Sequence, residues 1–176
     1  MTHTAFKFAA AAALLSTGSL QAAQTAANAD CMTRPEVHGL VGYMLPSVVA
    51  LVVERCKPSL PANSFLTAGG PKLVAELELG RKDAWPLAQQ AFGKLGGADP
   101  KATAVLQSMP EEVVRPMLED KMADSFVASI KAKDCKDIDR ILGTLAPLPA
   151  ANMVDFVTEI FIMGAREKKN LPVCAS

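Results

Sequence analysis

The sequence predicts an all-α fold, a compact bundle of about six or seven helices cross-linked by disulfides. Three observations carry that reading. Apolar residues recur at the i, i+3, i+4, i+7 spacing of a buried helix face in nearly every segment. No stretch shows the sustained period-two alternation, bounded by hairpin turns, that a sheet needs. Four cysteines, Cys31, Cys56, Cys135 and Cys174, lie beyond an N-terminal stretch laid out like a secretory signal.

That stretch is residues 1–29. Lys7 supplies a positive start, Phe8 to Leu15 is an apolar run, and Ala27-Asn28-Ala29 offers a small-residue cleavage site, with Leu20-Gln21-Ala22 as a second candidate. The run is far short of the roughly 20 apolar residues that span a bilayer. Cleavage after Ala22 or Ala29 keeps all four cysteines in the product. Residues 30–176 then make one helical domain of ordinary size, periplasmic or secreted, where thiols oxidise.

The first helix of that domain is the most apolar. Val37, Leu40, Val41, Met44, Leu45, Val48, Val49 and Val52 keep one stripe in phase. Thr33 and Glu36 make a capping box ahead of it, and Pro35 sits in the first turn, where a missing N–H costs nothing. Pro46 interrupts the segment without breaking the stripe. It therefore reads as one helix, kinked at Pro46 on its less apolar side.

A Pro-rich loop, Lys57 to Gly70, follows. Leu73, Val74 and Leu77 mark a short helix opened by Pro71 and closed at Gly80. Asp83 caps the next, with Trp85, Ala88, Ala91, Phe92 and Leu95 as its stripe and Gly96-Gly97 as its end. Asp99-Pro100 starts another, carrying Ala102, Val105, Leu106 and Met109. Ser108 and Glu111 form a second capping box. Behind it runs a long helix with Val114, Leu118, Met122, Phe126 and Ile130 inward and a kink at Pro116. The last third reads as a helical hairpin. Ile138, Ile141, Leu142 and Leu145 form one stripe, Pro147-Leu148-Pro149 the turn, and Met153, Phe156, Val157, Ile160 and Phe161 the return, before Lys168 and Lys169 at the C-terminal end.

Helix continuity constrains the cross-links. A straight helix from Cys31 to Cys56 parts them by about 37 Å, whereas bridged Cα atoms lie within about 7 Å. Each would then pair with Cys135 or Cys174, stapling the first helix to the C-terminal hairpin. A fold-back at Pro46 would instead make Cys31–Cys56 and Cys135–Cys174 the natural loops. The unbroken stripe favours the first arrangement and leaves the connectivity open. No C-x-x-C occurs, so structural disulfides are expected rather than metal binding or thiol exchange, and no cofactor is implied.

Composition excludes some partners. The formal net charge is zero and aromatics are scarce, so neither a field that recruits nucleic acid nor a base-stacking surface is expected. His38 is the one histidine of the domain, off the apolar stripe, which leaves little for a Ser–His–acid arrangement. The close sets of carboxylates read as caps and solvated faces.

The first helix itself is the suggestive piece. From Val37 to Val53 it has no charged residue, and its back carries Gly39, Gly42, Tyr43, Ala50, Leu51 and Val53. A helix apolar nearly all round is central in its fold or touches something else. The first expectation is a buried central helix. The second is an apolar groove for a lipid-like ligand or partner helix, lined by His38, Gly39, Gly42 and Tyr43. Membrane contact is possible but not favoured, because His38 and Pro46 make a poor span.

Cys31 with Thr33-Arg34-Pro35-Glu36, Tyr43-Met44-Leu45-Pro46, Cys56 with Pro58-Ser59-Leu60-Pro61, and Leu145-Ala146-Pro147-Leu148-Pro149 resemble uncharacterised exported four-cysteine helical proteins of alphaproteobacteria. The resemblance covers most of the domain, implies a periplasmic home, and carries no activity or site. The function expected is that of a binding or accessory protein, engaging a protein partner or an apolar small molecule without catalysis. Alternatives are a small hydrolase built on His38 and a nearby serine such as Ser47, or a peripheral membrane protein.

Overall fold

The computed structural model describes residues 31–95, 101, 104–105, 108–125, 127–168 and 171–174. The signal segment 1–29, the Gly96-Gly97 stop, the Asp99-Pro100 start, Ala102, Leu106, Phe126 and Lys169 lie outside these residues, as do the side chains of Leu118 and Met122. Seven helices are described: α1 (Arg34–Cys56), α2 (Phe65–Ala68), α3 (Gly70–Glu78), α4 (Arg81–Leu95), α5 (Glu111–Ser125), α6 (Cys135–Leu145) and α7 (Ala150–Lys168). Among the described residues there is no strand, only an isolated parallel bridge between Met32 and Val173. The fold is the all-α, disulfide-cross-linked bundle that the apolar spacing predicts.

α1 is its axle. The helix runs unbroken through Pro46, so Cys31 and Cys56 sit at opposite ends and cannot meet. Cys31 bridges Cys174 with Cα atoms 5.0 Å apart, and Cys56 bridges Cys135 at 5.4 Å. The first bridge clamps the two ends of the domain beside the Met32–Val173 contact, where the Cys174 N–H donates to the Met32 carbonyl at 2.9 Å. The second ties the C-terminal end of α1 to the start of α6.

Two apolar clusters line up along α1. Val37, Leu40, Val41, Tyr43 and Met44 pack against Ala88 and Ala91 of α4 and Ile162 of α7. Val49, Val52, Val53 and Cys56 pack with Leu66, Leu73, Leu77, Cys135 and Met153. Burial wraps α1 almost completely, and Pro46, expected on its less apolar side, is fully buried.

Three local expectations are corrected. The loop from Lys57 to Gly70 contains helix α2, capped by Ser64 and held by Asp139, whose carboxylate accepts the Leu66 N–H at 2.7 Å. Ser108 does not cap α5; its hydroxyl donates back to the Val105 carbonyl at 2.8 Å, and Val105 is exposed. The C-terminal third is not a packed hairpin. α6 lies against α2 and α7 lies against α1, so the two approach the second cluster from different sides and touch each other little. The Pro147-Leu148-Pro149 turn reverses the chain, but each helix finds a better apolar partner elsewhere.

Candidate functional site

Gly39, Gly42 and Tyr43, the expected lining of a groove, are all buried. They form the contact between α1 and α4. A Cβ on Gly39 would collide with Leu87 and come within 3.0 Å of the Ala88 backbone nitrogen; one on Gly42 would stand 3.2 Å from the Ala84 Cβ. The glycines thus let two helices approach closely, and the space that a ligand would enter is filled by α4. Tyr43 lies 4.8 Å from the Trp85 ring centroid and 6.1 Å from that of Phe92. Arg34 to Ser59 is long and apolar enough to cross a membrane by length and composition, yet 72% of that apolar window is buried inside the fold.

Below Tyr43 sits a charged network that no single segment announces. The buried Arg81 guanidinium lies 4.7 Å from the Tyr43 ring centroid and donates to Glu78 at 2.8 Å and Glu119 at 3.0 Å. Arg115 donates to the same two carboxylates, at 3.2 Å and 3.0 Å, which closes a four-membered ring of charge. The Ser47 hydroxyl adds a third donor to Glu119, at 2.7 Å. Burial alone would raise the Glu119 pKa, but the Ser47 and Arg115 hydrogen bonds outweigh it and hold the carboxyl below its usual range. Burial likewise works against the Arg115 charge and is outweighed by Glu119 and Glu78, so its pKa is raised. Tyr43 Oη and Arg81 Nε are buried without a hydrogen-bond partner.

This network pins α5 to α1, α3 and α4. A second buried pair does similar work at the start of α1. Lys94 of α4 donates to both Glu36 oxygens, at 2.7 and 2.8 Å, and to the Cys31 carbonyl at 3.0 Å, while Glu36 accepts the Thr33 N–H at 2.6 Å. The capping box is therefore present and doubles as a tie between helices. Glu78/Arg81 and Arg115/Glu119 have helix-neighbour spacing that a sequence reading can notice. That Arg81 also reaches Glu119, and Lys94 also reaches Glu36, needs the fold.

His38 lies outside both networks. Half-exposed, its Nε2 is 3.2 Å from Asp155 of α7, one helical turn from the Arg34–Glu159 pair at 2.6 Å. Ser47 is nine residues further along the same unbroken helix, about 13.5 Å away on its axis. Its hydroxyl proton goes to Glu119. His38 and Ser47 therefore do not form a nucleophile and base together. Among the described residues no three His, Cys, Asp or Glu side chains gather as a metal would require.

These two contacts border an exposed apolar surface. On the outer side of α7, Phe156, Ile160 and Met163 follow one another at i, i+4 and i+7, with 46%, 50% and 52% of their surface open to water. Side chains at this spacing make one continuous strip. The sequence places Phe156 and Ile160 inward because it assumes a hairpin with α6; with α6 elsewhere, that flank of α7 is left uncovered. Comparison with protein-family models, with curated proteins and with solved structures finds no match for this chain.

Proposed function

We propose that this chain is an exported, non-catalytic binding or accessory protein that engages a protein partner over the outer face of α7. The apolar strip of Phe156, Ile160 and Met163, edged by Arg34, His38, Asp155 and Glu159, carries the reading. Large apolar side chains aligned and half-open, with a charged rim, are the anatomy of a protein interface. A small apolar ligand wants enclosure, which an outer helix face does not offer. An anionic membrane would want an excess of lysine and arginine along the strip, and there Asp155, Glu159 and Glu167 offset Arg34 and Arg166.

The signal-like residues 1–29 and the two cross-links support a periplasmic or secreted working place. Native mass spectrometry of the processed protein, recovered without detergent from the exporting cell, tests the reading beside Ile160→Glu. The wild type is expected to carry a bound protein chain that the variant loses. A bare monomer in both samples would refute it.

A further inference from the structure

We propose that Cys31–Cys174 is a redox clasp, opened by an external dithiol while the protein stays folded, and that its opening uncovers Met32 beside the start of α1. The sequence, lacking a C-x-x-C, treats all four cysteines alike and gives no way to rank the two bridges. Their surroundings rank them. Cys56 and Cys135 are 0% and 1% exposed, sealed among Val49, Val52, Leu66 and Met153. Cys31 and Cys174 are partly open to water. Thiol–disulfide exchange needs a thiolate to reach one sulfur of the bridge, so access decides which bridge reacts. The buried pair must wait for the second cluster to open, and the end pair need not.

In the exchange, one thiolate of the dithiol attacks a sulfur of Cys31–Cys174, breaks the S–S bond and forms a mixed disulfide. Its second thiol displaces the protein sulfur, and the dithiol leaves as a cyclic disulfide. Two electrons pass to the bridge, and the two protons of the dithiol end on the Cys31 and Cys174 thiols.

What the clasp holds is short and local. Val173 pairs with Met32 as an isolated bridge and packs on the first cluster. The Cys174 N–H donates to the Met32 carbonyl at 2.9 Å, and the Met32 N–H donates to the Pro172 carbonyl. Leu171, Pro172, Val173 and Cys174 are each only partly buried, whereas Met32 beneath them is 0% exposed. The neighbouring helices are fastened independently of the bridge. Lys94 and Glu36 tie α1 to α4, and Ile162 and Ala165 bury the inner side of α7. Opening the bridge therefore releases one edge of the fold and leaves the bundle standing, as local openings at chain ends do. A methionine turned outward makes an apolar contact surface of an inert chain end, and the ambient ratio of dithiol to disulfide sets the share of chains that present it.

Graded dithiothreitol at neutral pH on the oxidised protein, followed by alkylation and peptide mapping, tests the order of opening. Cys31 and Cys174 are expected to take the label at least about tenfold faster than Cys56 and Cys135, with helix content unchanged by circular dichroism while only the end pair is labelled. In that half-reduced protein, hydrogen exchange is expected to quicken at the Met32 and Cys174 amides and to stay slow along α1. Brief peroxide should convert Met32 to its sulfoxide at least about tenfold faster than in the oxidised protein, while half-exposed Met163 reacts alike in both.

Equal labelling of the two pairs, or labelling of the end pair only as helix content is lost, overturns the clasp. So does a half-reduced protein in which Met32 oxidises no faster, or the Cys174 amide exchanges no faster, than before, because the ends would then hold without the bridge.

Discussion

Tyr43 gives up its water to Trp85, Phe92 and the Arg81 guanidinium, and this burial, with the Glu111 charge behind it, pushes the phenol up to about 12 against the opposing pull of Arg81 and Arg115. The folded protein then holds a proton that the unfolded chain releases from about pH 10. Stability is whole below that value and is lost as pH climbs towards about 12. Tyr43 is the one tyrosine of the chain, so phenolate absorbance reads it without deconvolution. Phenolate should appear close to the upper value, or together with unfolding below it; a midpoint near 10 in a fully helical protein would contradict the buried site. Other single residues were only partly readable in advance. Thr33 and Glu36 are visible as a cap because their partners are three residues apart, whereas Lys94, which closes that site, is 58 positions distant.

Helices were legible where one stripe decided them and illegible where two candidate partners competed. α1, α3 and α4 follow from apolar spacing and prolines, although α4 begins at Arg81, two residues before Asp83, its expected cap. The hairpin expected of α6 and α7 failed because a stripe says that a helix buries a face without saying against what. Two predictions belong here. Gly39→Ala must push Leu87 and the α4 backbone aside, which costs about 1–3 kcal/mol of overpacking against at most about 1 kcal/mol of helix propensity gained. Gly42→Ala meets the Ala84 Cβ at 3.2 Å and Val154 Cγ1 at an ordinary 3.6 Å and should stay within about 1 kcal/mol of wild type in urea titrations. Equal effects at the two positions would refute the close helix contact at Gly39. The second concerns the network that fastens α5. Glu119 has a lowered pKa in the fold, so its contribution is present above the ordinary glutamate value of about 4.3 and lost as pH falls below it. Thermal melts should show the wild type losing stability through that acid range, and Glu119→Gln, weaker at neutral pH, losing less. Parallel curves for the two proteins would show that Glu119 is not the group titrating.

Across the whole molecule, the cross-links were half-legible. Continuity of α1 excluded Cys31–Cys56, but only the packing of α6 on the far end of α1 selects Cys135 for Cys56. Function stayed illegible for a physical reason: the features that stand out in the sequence, an apolar helix with glycines and a lone tyrosine, build the core, and the exposed strip of α7 has the composition of a buried one. The two bridges should also differ in weight, though not through loop length. They close separations of 143 and 79 residues, for which chain entropy gives about 5 and about 4.5 kcal/mol, nearly the same. Cys56 and Cys135 are fully buried in the second cluster, whereas Cys31 and Cys174 are partly open to water. Serine at the buried pair therefore adds the cost of hydroxyls placed in an apolar site, about 1–3 kcal/mol each. Cys56→Ser with Cys135→Ser should accordingly melt well below Cys31→Ser with Cys174→Ser, reversing the order that loop length alone would set. Equal midpoints, or the opposite order, would mean that the bridges act by constraining the unfolded chain and that the second cluster tolerates polar groups.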